Sequence, residues 1–194
     1  MALTTLDIKE PGLNNLPPGV ERYVVEAGGL TGIQVLPDDE IEIINNEGNQ
    51  ICEISVFNKD GKSELAILGL KEIKDNSEIK KILFKKDETS LQALLQLKKR
   101  NLNIEKSKSS LVFDKETKAG ENIKLKSKDR CYCIIAAPGK EMMIHEQNPS
   151  TELTVIVKRA IVKKDKEFSI IPDPVYDPSN EINIAKTTAN SYQV

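Results

Sequence analysis

The sequence predicts a mainly β fold, an antiparallel β-sandwich or small barrel with one amphipathic helix. The strongest observation is residues 40–45 (EIEIIN), where charged and apolar side chains alternate with the period of a half-solvated strand. Several other short segments are rich in β-branched residues and are separated by turns that contain glycine. Helical periodicity is clear in one stretch, LQALLQLKKR.

The first two predicted strands are residues 21–26 (ERYVVE) and 40–45, with a glycine-rich turn, GGLTG, between them. After the second strand, Gly48 can supply the positive φ of a tight turn. We therefore expect a hairpin that pairs residues 40–45 with the next strand, QICEISVFN.

In QICEISVFN the residues Cys52, Ile54 and Val56 share one face and are predicted to point into the core. The turn sequence NKDG follows this strand. Further on, Ser90 is predicted to cap the helix over LQALLQLKKR, whose basic end complements the helix dipole.

Residues 101–110 are polar and rich in lysine, which predicts a mobile connection. Beyond them the patterns predict four more strands, at residues 111–113, 121–127, 130–137 and 152–158. We expect residues 1–160 to form this β-rich domain. Residues 161–194 contain Pro172, Pro174 and Pro178, and predict an extended linker.

Composition excludes several classes of partner. Lysine plus arginine (28) nearly balances aspartate plus glutamate (30), so no net field attracts nucleic acid or an anionic membrane. The sequence has neither a run of about 18 apolar residues nor a signal peptide at its start. An odd number of cysteines, three, indicates reduced thiols. We expect a cytoplasmic protein.

Cys52, Cys131, Cys133 and His145 have the right composition for a zinc site of three thiolates and one imidazole. The alternative is that the cysteines are small hydrophobic residues of the core, because Cys131 and Cys133 alternate along a strand instead of forming a knuckle. His145 beside Glu146 could also serve a cysteine nucleophile as a base, or it could be a solvated surface side chain.

Other motifs give weaker evidence for a functional site. The acidic residues Asp38, Asp39, Glu40 and Glu42 could bind a cation, although adjacent acids on a strand are usually solvated. Neither a GxSxG motif nor a phosphate-binding loop is present. Composition and motifs alone therefore assign no reaction.

Two blocks of the sequence resemble the urea-carboxylase-associated family. Residues 28–70 are similar to the opening of such domains, in which an alternating strand precedes a turn with glycine, a glutamine and a strand ending in Phe-Asn. Residues 134–160 are similar to their close. The matching positions are Gly48, Gln50, Phe57, Asn58, Ala137, Pro138, Gly139, Met143, Asn148, Pro149, Thr151, Glu152, Leu153, Arg159 and Ala160.

The resemblance is to the version found at the front of large fusion proteins. There, such a domain precedes a second related copy and then an aminomethyltransferase of the glycine-cleavage T-protein family. The last residues, EINIAKTTANSYQV, resemble the first strand of that second copy, so we expect the chain to be an N-terminal piece. The resemblance implies tetrahydrofolate as the cofactor of the fused enzyme and no cofactor in this chain.

We therefore expect a non-catalytic accessory or docking module of an aminomethyltransferase in one-carbon metabolism, with the second copy and the transferase domain as partners. One alternative is a metal-assisted C–N hydrolase, as in deiminase relatives, which carry cysteine and histidine in mid-domain; residues 70–120 contain neither. Another is a module that binds a small ligand inside a barrel.

Overall fold

The computed structural model of the chain describes residues 16–72, 77–139 and 149–160. It contains eight strands, two α-helices and a short 3-10 helix at Leu65–Leu68 in the described residues. The strands are β1 (Val20–Val25), β2 (Leu30–Val35), β3 (Glu40–Asn45), β4 (Cys52–Asn58), β5 (Ser110–Phe113), β6 (Glu121–Lys126), β7 (Cys131–Ala136) and β8 (Leu153–Lys158). The helices are α1 (Glu78–Leu83) and α2 (Glu88–Lys99).

The strands form two antiparallel sheets of four strands each. Sheet I has the order β1-β8-β3-β6 and sheet II has the order β2-β7-β4-β5. The sheets remain separate in the described residues, so the prediction of a mainly β sandwich is confirmed and the small barrel is not formed. The strands predicted at residues 21–26, 40–45, 111–113, 121–127, 130–137 and 152–158 are present within one or two residues.

The main core lies between the two sheets. Every second residue of β8 enters it, because Leu153, Val155 and Val157 share one face of the strand and are fully buried. Cys52, Ile54 and Val56 of β4 approach from sheet II, as the sequence predicts. Packing of two alternating faces in this way is what makes the sandwich stable.

A second apolar cluster covers the outer face of sheet II and adds a third layer. It joins buried residues of α1 to the strands and to the segment after α2. Its buried members are Phe57, Ile79, Leu83, Leu102, Ile104, Ile134 and Ala136. Leu102 and Ile104 anchor to this cluster the segment predicted to be a mobile connection, which forms no helix or strand before Ser110.

The helical layer differs from the sequence prediction in two respects. Two α-helices are present instead of one, since the short α1 precedes the expected helix. The cap of α2 is Asp87 and not Ser90: the Asp87 side chain accepts a hydrogen bond from the backbone N–H of Ser90. Ser90 lies inside the first turn, where its hydroxyl donates back to the Asp87 carbonyl.

The predicted hairpin between residues 40–45 and QICEISVFN is wrong. β3 pairs with β6 and β8 in sheet I, whereas β4 pairs with β5 and β7 in sheet II. Gly48 does have a positive φ of 78°, but the turn carries the chain from one sheet to the other. A Cβ at Gly48 would lie 2.6 Å from the backbone nitrogen of Ala119, so this crossing requires glycine.

Strand β2 is a further difference, because the sequence pattern of LTGIQV did not predict it. It pairs with β7 at the edge of sheet II. Within the described ranges, no helix has the length and hydropathy needed to cross a membrane. The predicted linker at residues 161–194 lies outside the described residues, so the domain boundary at residue 160 stays a prediction.

Candidate functional site

The three cysteines lie on the inner face of sheet II, where all are buried as free thiols. Cys131 and Cys133 are neighbours on one face of β7, with their sulfur atoms 3.8 Å apart. Cys52 lies farther along the sheet. Val56 pairs with Cys133, and Cys52 is four residues before Val56 on β4, so Cys52 lies about 13 Å from Cys133 along the strand. The structure therefore brings together two of the four predicted ligands.

Burial makes this environment unfavourable for thiolates. Burial, with a smaller effect of the Glu53 carboxylate, raises the pKa of Cys52. The hydrogen bond with Cys131 and burial raise the pKa of Cys133, while the same hydrogen bond lowers the pKa of Cys131. All three side chains are fully buried, as small hydrophobic residues of a core are.

His145, the fourth predicted ligand, lies outside the described residues. Within the ranges that are described, no group of three or more histidine, cysteine, aspartate or glutamate side chains is arranged to hold a metal ion. The acidic residues at positions 38–42, considered as an alternative cation site, have other surroundings. Asp38 pairs with Lys126 and Glu42 with Lys124 and Lys158, and Asp39 is buried.

Asp39 belongs to a buried ionic cluster that the sequence analysis missed. Arg159 donates to Asp39 Oδ2 over 2.7 Å and to both carboxylate oxygens of Glu21 over 2.8 and 2.6 Å. Asp39 also accepts from the backbone N–H groups of Leu36 and Ala160. Burial would lower the pKa of Arg159, but the hydrogen bonds to Glu21 and Asp39 outweigh it, so the pKa is raised and the charge is fixed.

A second buried polar side chain, Gln50, ties together three loops. Its amide nitrogen donates to the carbonyls of Ile51 and Pro138, and its amide oxygen accepts from the backbone N–H of Thr151. Asn45 in turn donates to the Gln50 backbone carbonyl. Gln50 therefore holds the chain on both sides of residues 140–148.

A cavity of about 520 Å³ lies between the β1–β2 turn and the two helices. Its apolar wall includes Val24, Leu30 and Ile82, and its polar groups include Glu26 and Asp87. The hydrogen bond from the Ser90 backbone lowers the pKa of Asp87, so this carboxylate is ionised at neutral pH. Such a volume falls within the range of small-molecule sites.

The sequence offered little signal for these groups. Arg159 and Asp39 are 120 positions apart, and Gln50 and Thr151 are 101 apart, so only the fold brings them together. Gln50 and Arg159 do belong to the positions on which the family resemblance rests. Their burial explains why a glutamine and an arginine occupy those positions in this chain.

Comparison with known proteins gives one informative match. The chain is 34% identical over 188 residues to trimethylamine-oxide aldolase from Ruegeria pomeroyi. The alignment covers 96% of this chain but 24% of that protein, so the chain spans about a quarter of the length of its relative. No protein-family model matches the sequence. The chain is thus similar to one part of a larger enzyme.

Proposed function

We propose that this chain is an accessory module of a longer enzyme similar to trimethylamine-oxide aldolase, and that the catalytic groups lie in another part of that protein. The proposal rests on how much of each protein the alignment covers. Nearly the whole chain aligns, yet three quarters of the relative has no counterpart in it. The described residues also have their own two-sheet core, which fits a module that folds as a unit.

The buried polar clusters support a structural role. Arg159 donates to both Asp39 and Glu21, and the side-chain amide of Gln50 bonds three backbone groups. Groups that are saturated in this way hold loops in place and offer no free acid, base or nucleophile to a substrate. They make the module a rigid platform on which another domain can dock.

The sequence resemblance extends the proposal. The longer enzyme would combine this urea-carboxylase-associated-like domain with a second copy and an aminomethyltransferase of the glycine-cleavage T-protein family. Tetrahydrofolate would be the cofactor of that transferase and not of this chain. We place the protein in the cytoplasm, and the three buried free thiols support a reducing compartment.

The test uses the chain and its relative side by side. The 194-residue chain alone is expected to leave trimethylamine oxide unchanged, while the full-length relative consumes it, as followed by NMR. In a chimera, this chain replaces the aligned quarter of the relative. We expect the chimera to be folded and active, and to keep its activity when Cys131 and Cys133 are both changed to serine. Turnover by the isolated chain, or loss of chimera activity in a folded cysteine variant, would contradict the proposal.

A second candidate function is the binding of a small ligand in the cavity beside the helices. The cavity combines an apolar wall with two carboxylates, of Glu26 and Asp87, against one ammonium group, of Lys85, so its charge favours a small organic cation. Trimethylammonium is the probe, and a ligand bound to the folded state raises Tm. Glu26→Gln should remove the effect without disturbing the cap at Asp87. No Tm shift in the unmodified chain at saturating trimethylammonium would dismiss this candidate.

A further inference from the structure

A stripe of exposed side chains follows the outer side of α2. Its members are Glu88, Leu91, Leu95 and Lys98, spaced by three, four and three residues, which places them on one face of the helix. Leu91 is 50% exposed and Leu95 is 59% exposed. We call this set the α2 stripe.

The α2 stripe is distinct from the face that packs on the protein. Ser90 is buried, and Ala93, Leu94 and Leu97 pack against the cluster on sheet II. The helix therefore has apolar residues on a second side, next to the packed face, although a helix at the surface of a monomer needs one such face. Within the described residues, no side-chain hydrogen bond or ion pair is made by Glu88 or Lys98.

The spacing of the α2 stripe is that of a coiled-coil seam. Residues separated by three and then four positions form the contact line when two helices pack side by side. Here the two central positions are leucine and the outer two carry opposite charges. This pattern suits a partner helix with leucines at its centre and the opposite order of charges.

A second copy of α2, placed antiparallel, meets these requirements. With a two-fold axis at the level of Ala93, Leu91 of one copy faces Leu95 of the other, and Glu88 faces Lys98 at both ends. A parallel arrangement would instead place Glu88 against Glu88 and Lys98 against Lys98. Self-complementarity about a two-fold axis is the condition for a symmetric dimer, and the α2 stripe satisfies it in one direction only.

We propose that the α2 stripe is a self-association surface, through which two copies of the chain pair by antiparallel contact of their α2 helices. The surface is small, so the complex belongs to the weak class of interfaces below about 1,200 Å². A dissociation constant in roughly the micromolar to millimolar range is expected at such a contact. In a longer protein the same contact would join two polypeptides.

The first experiment is sedimentation of the 194-residue chain from about 10 µM to about 1 mM, a range that spans the expected affinity. A reversible monomer–dimer equilibrium is expected. Changing Leu91 and Leu95 together to serine should weaken it at least tenfold, by the loss of apolar contact. The control is Leu111→Ser, which removes a leucine of similar exposure, 46%, on the edge strand β5.

Charge reversal tests the antiparallel direction. Glu88→Lys and Lys98→Glu should each weaken self-association about tenfold, because each places like charges opposite one another at both ends. An equal mixture of the two variants should form a heterodimer, since every contact is then attractive. The double variant Glu88→Lys/Lys98→Glu should regain self-association to within about threefold of the unmodified chain, with its ion pairs exchanged.

Tm measurements separate association from folding. Glu88→Lys puts a positive charge at the N-terminus of α2, and Lys98→Glu puts a negative charge at its C-terminus, so both oppose the helix dipole. The double variant should therefore have the lowest Tm and yet recover self-association. A chain that stays monomeric at the highest concentration would overturn the proposal. A dimer whose affinity is unchanged by the leucine substitutions would also overturn it, because another surface would then be used. A mixture of the two charge variants that associates no better than either variant alone would overturn it as well.

Discussion

Arg159 donates from Nη1 to Asp39 Oδ2 over 2.7 Å, and both side chains are buried where β8 ends. The same carboxylate accepts from the backbone N–H of Ala160 and from that of Leu36 in the β2–β3 turn. One ion pair therefore fixes the last described residue of the domain to the turn between the two sheets.

Removing one partner of this pair should be costly. Arg159→Met is expected to destabilise the fold by about 3–5 kcal/mol, because it leaves the Asp39 carboxylate buried without a counter-charge. Adding Asp39→Asn removes that charge and keeps one of the two oxygens that accept from the backbone N–H groups of Leu36 and Ala160. The double variant should therefore be about 1–3 kcal/mol more stable than the sum of the single effects. Urea unfolding measures all three, and strictly additive losses would show that the pair is not coupled.

Gln50 is expected to control the stability of the loops that it joins. Gln50→Ala leaves the Pro138 carbonyl and the Thr151 N–H without their partner, at a cost of about 3 kcal/mol. Hydrogen exchange should accelerate at the amide of Thr151 more than at amides within β3. Gln92→Ala, at an exposed position of α2, is the control and should change stability by less than about 0.5 kcal/mol. Unchanged exchange at Thr151 would contradict the proposed tie.

Two glycines with the same backbone conformation should respond differently to alanine. Gly61 and Gly69 have φ of 75° and 71°, but a Cβ on Gly61 would overlap the carbonyl oxygen of Asn101, whereas no atom of the described residues lies within 4 Å of a Cβ on Gly69. Gly69→Ala should cost about 1 kcal/mol from backbone strain alone. Gly61→Ala should cost about 2 kcal/mol more, because the chain must move apart. Equal losses in thermal unfolding would mean that the contact with Asn101 is unimportant.

Stability should fall in alkaline solution because of Cys52. Its pKa is raised in the folded state, so its contribution is complete below the unfolded pKa of about 8.5 and is lost as pH rises above that value. Cys52→Ala should flatten the decline above pH of about 8.5 by about 1.4 kcal/mol per pH unit. The control, Val56→Ala, removes volume from the same face and should leave the slope unchanged. Urea unfolding across this pH range gives the slopes, and identical slopes for Cys52→Ala and the unmodified chain would refute the assignment.

Local patterns in the sequence predicted the strands with a solvated face. Alternation in residues 40–45 and 153–158 is set by the side-chain period of a strand with one buried face, and both segments form strands. The pattern failed at β2, where Gly32 interrupts the apolar positions, and at the start of α2, where Asp87 competes with Ser90 as the cap. In both cases the local sequence is compatible with more than one structure, and contacts with residues that are neighbours in the fold select one of them.

Pairing and site geometry could not be predicted, for a different reason. Gly48 indicates a turn correctly, but a turn does not specify which sheet the next strand will join. Cys131 and Cys133 are recognisable as a pair on one face of a strand, yet the distance of Cys52 from them depends on the register between β4 and β7. The bonds of Arg159 depend on the same long-range register in sheet I. Contacts of this kind are properties of the assembled sheets.

The strand order has a consequence for how the chain acquires its structure. Among the described strands, none of the first four pairs with another of them; each hydrogen-bonds only to strands that come later, and β7 and β8 supply partners for all four. During synthesis, residues 20–58 must therefore wait for residues 131–158 before either sheet can close. Folding that depends on such distant contacts is slow, and the early strands stay exposed to chaperones and to aggregation in the meantime.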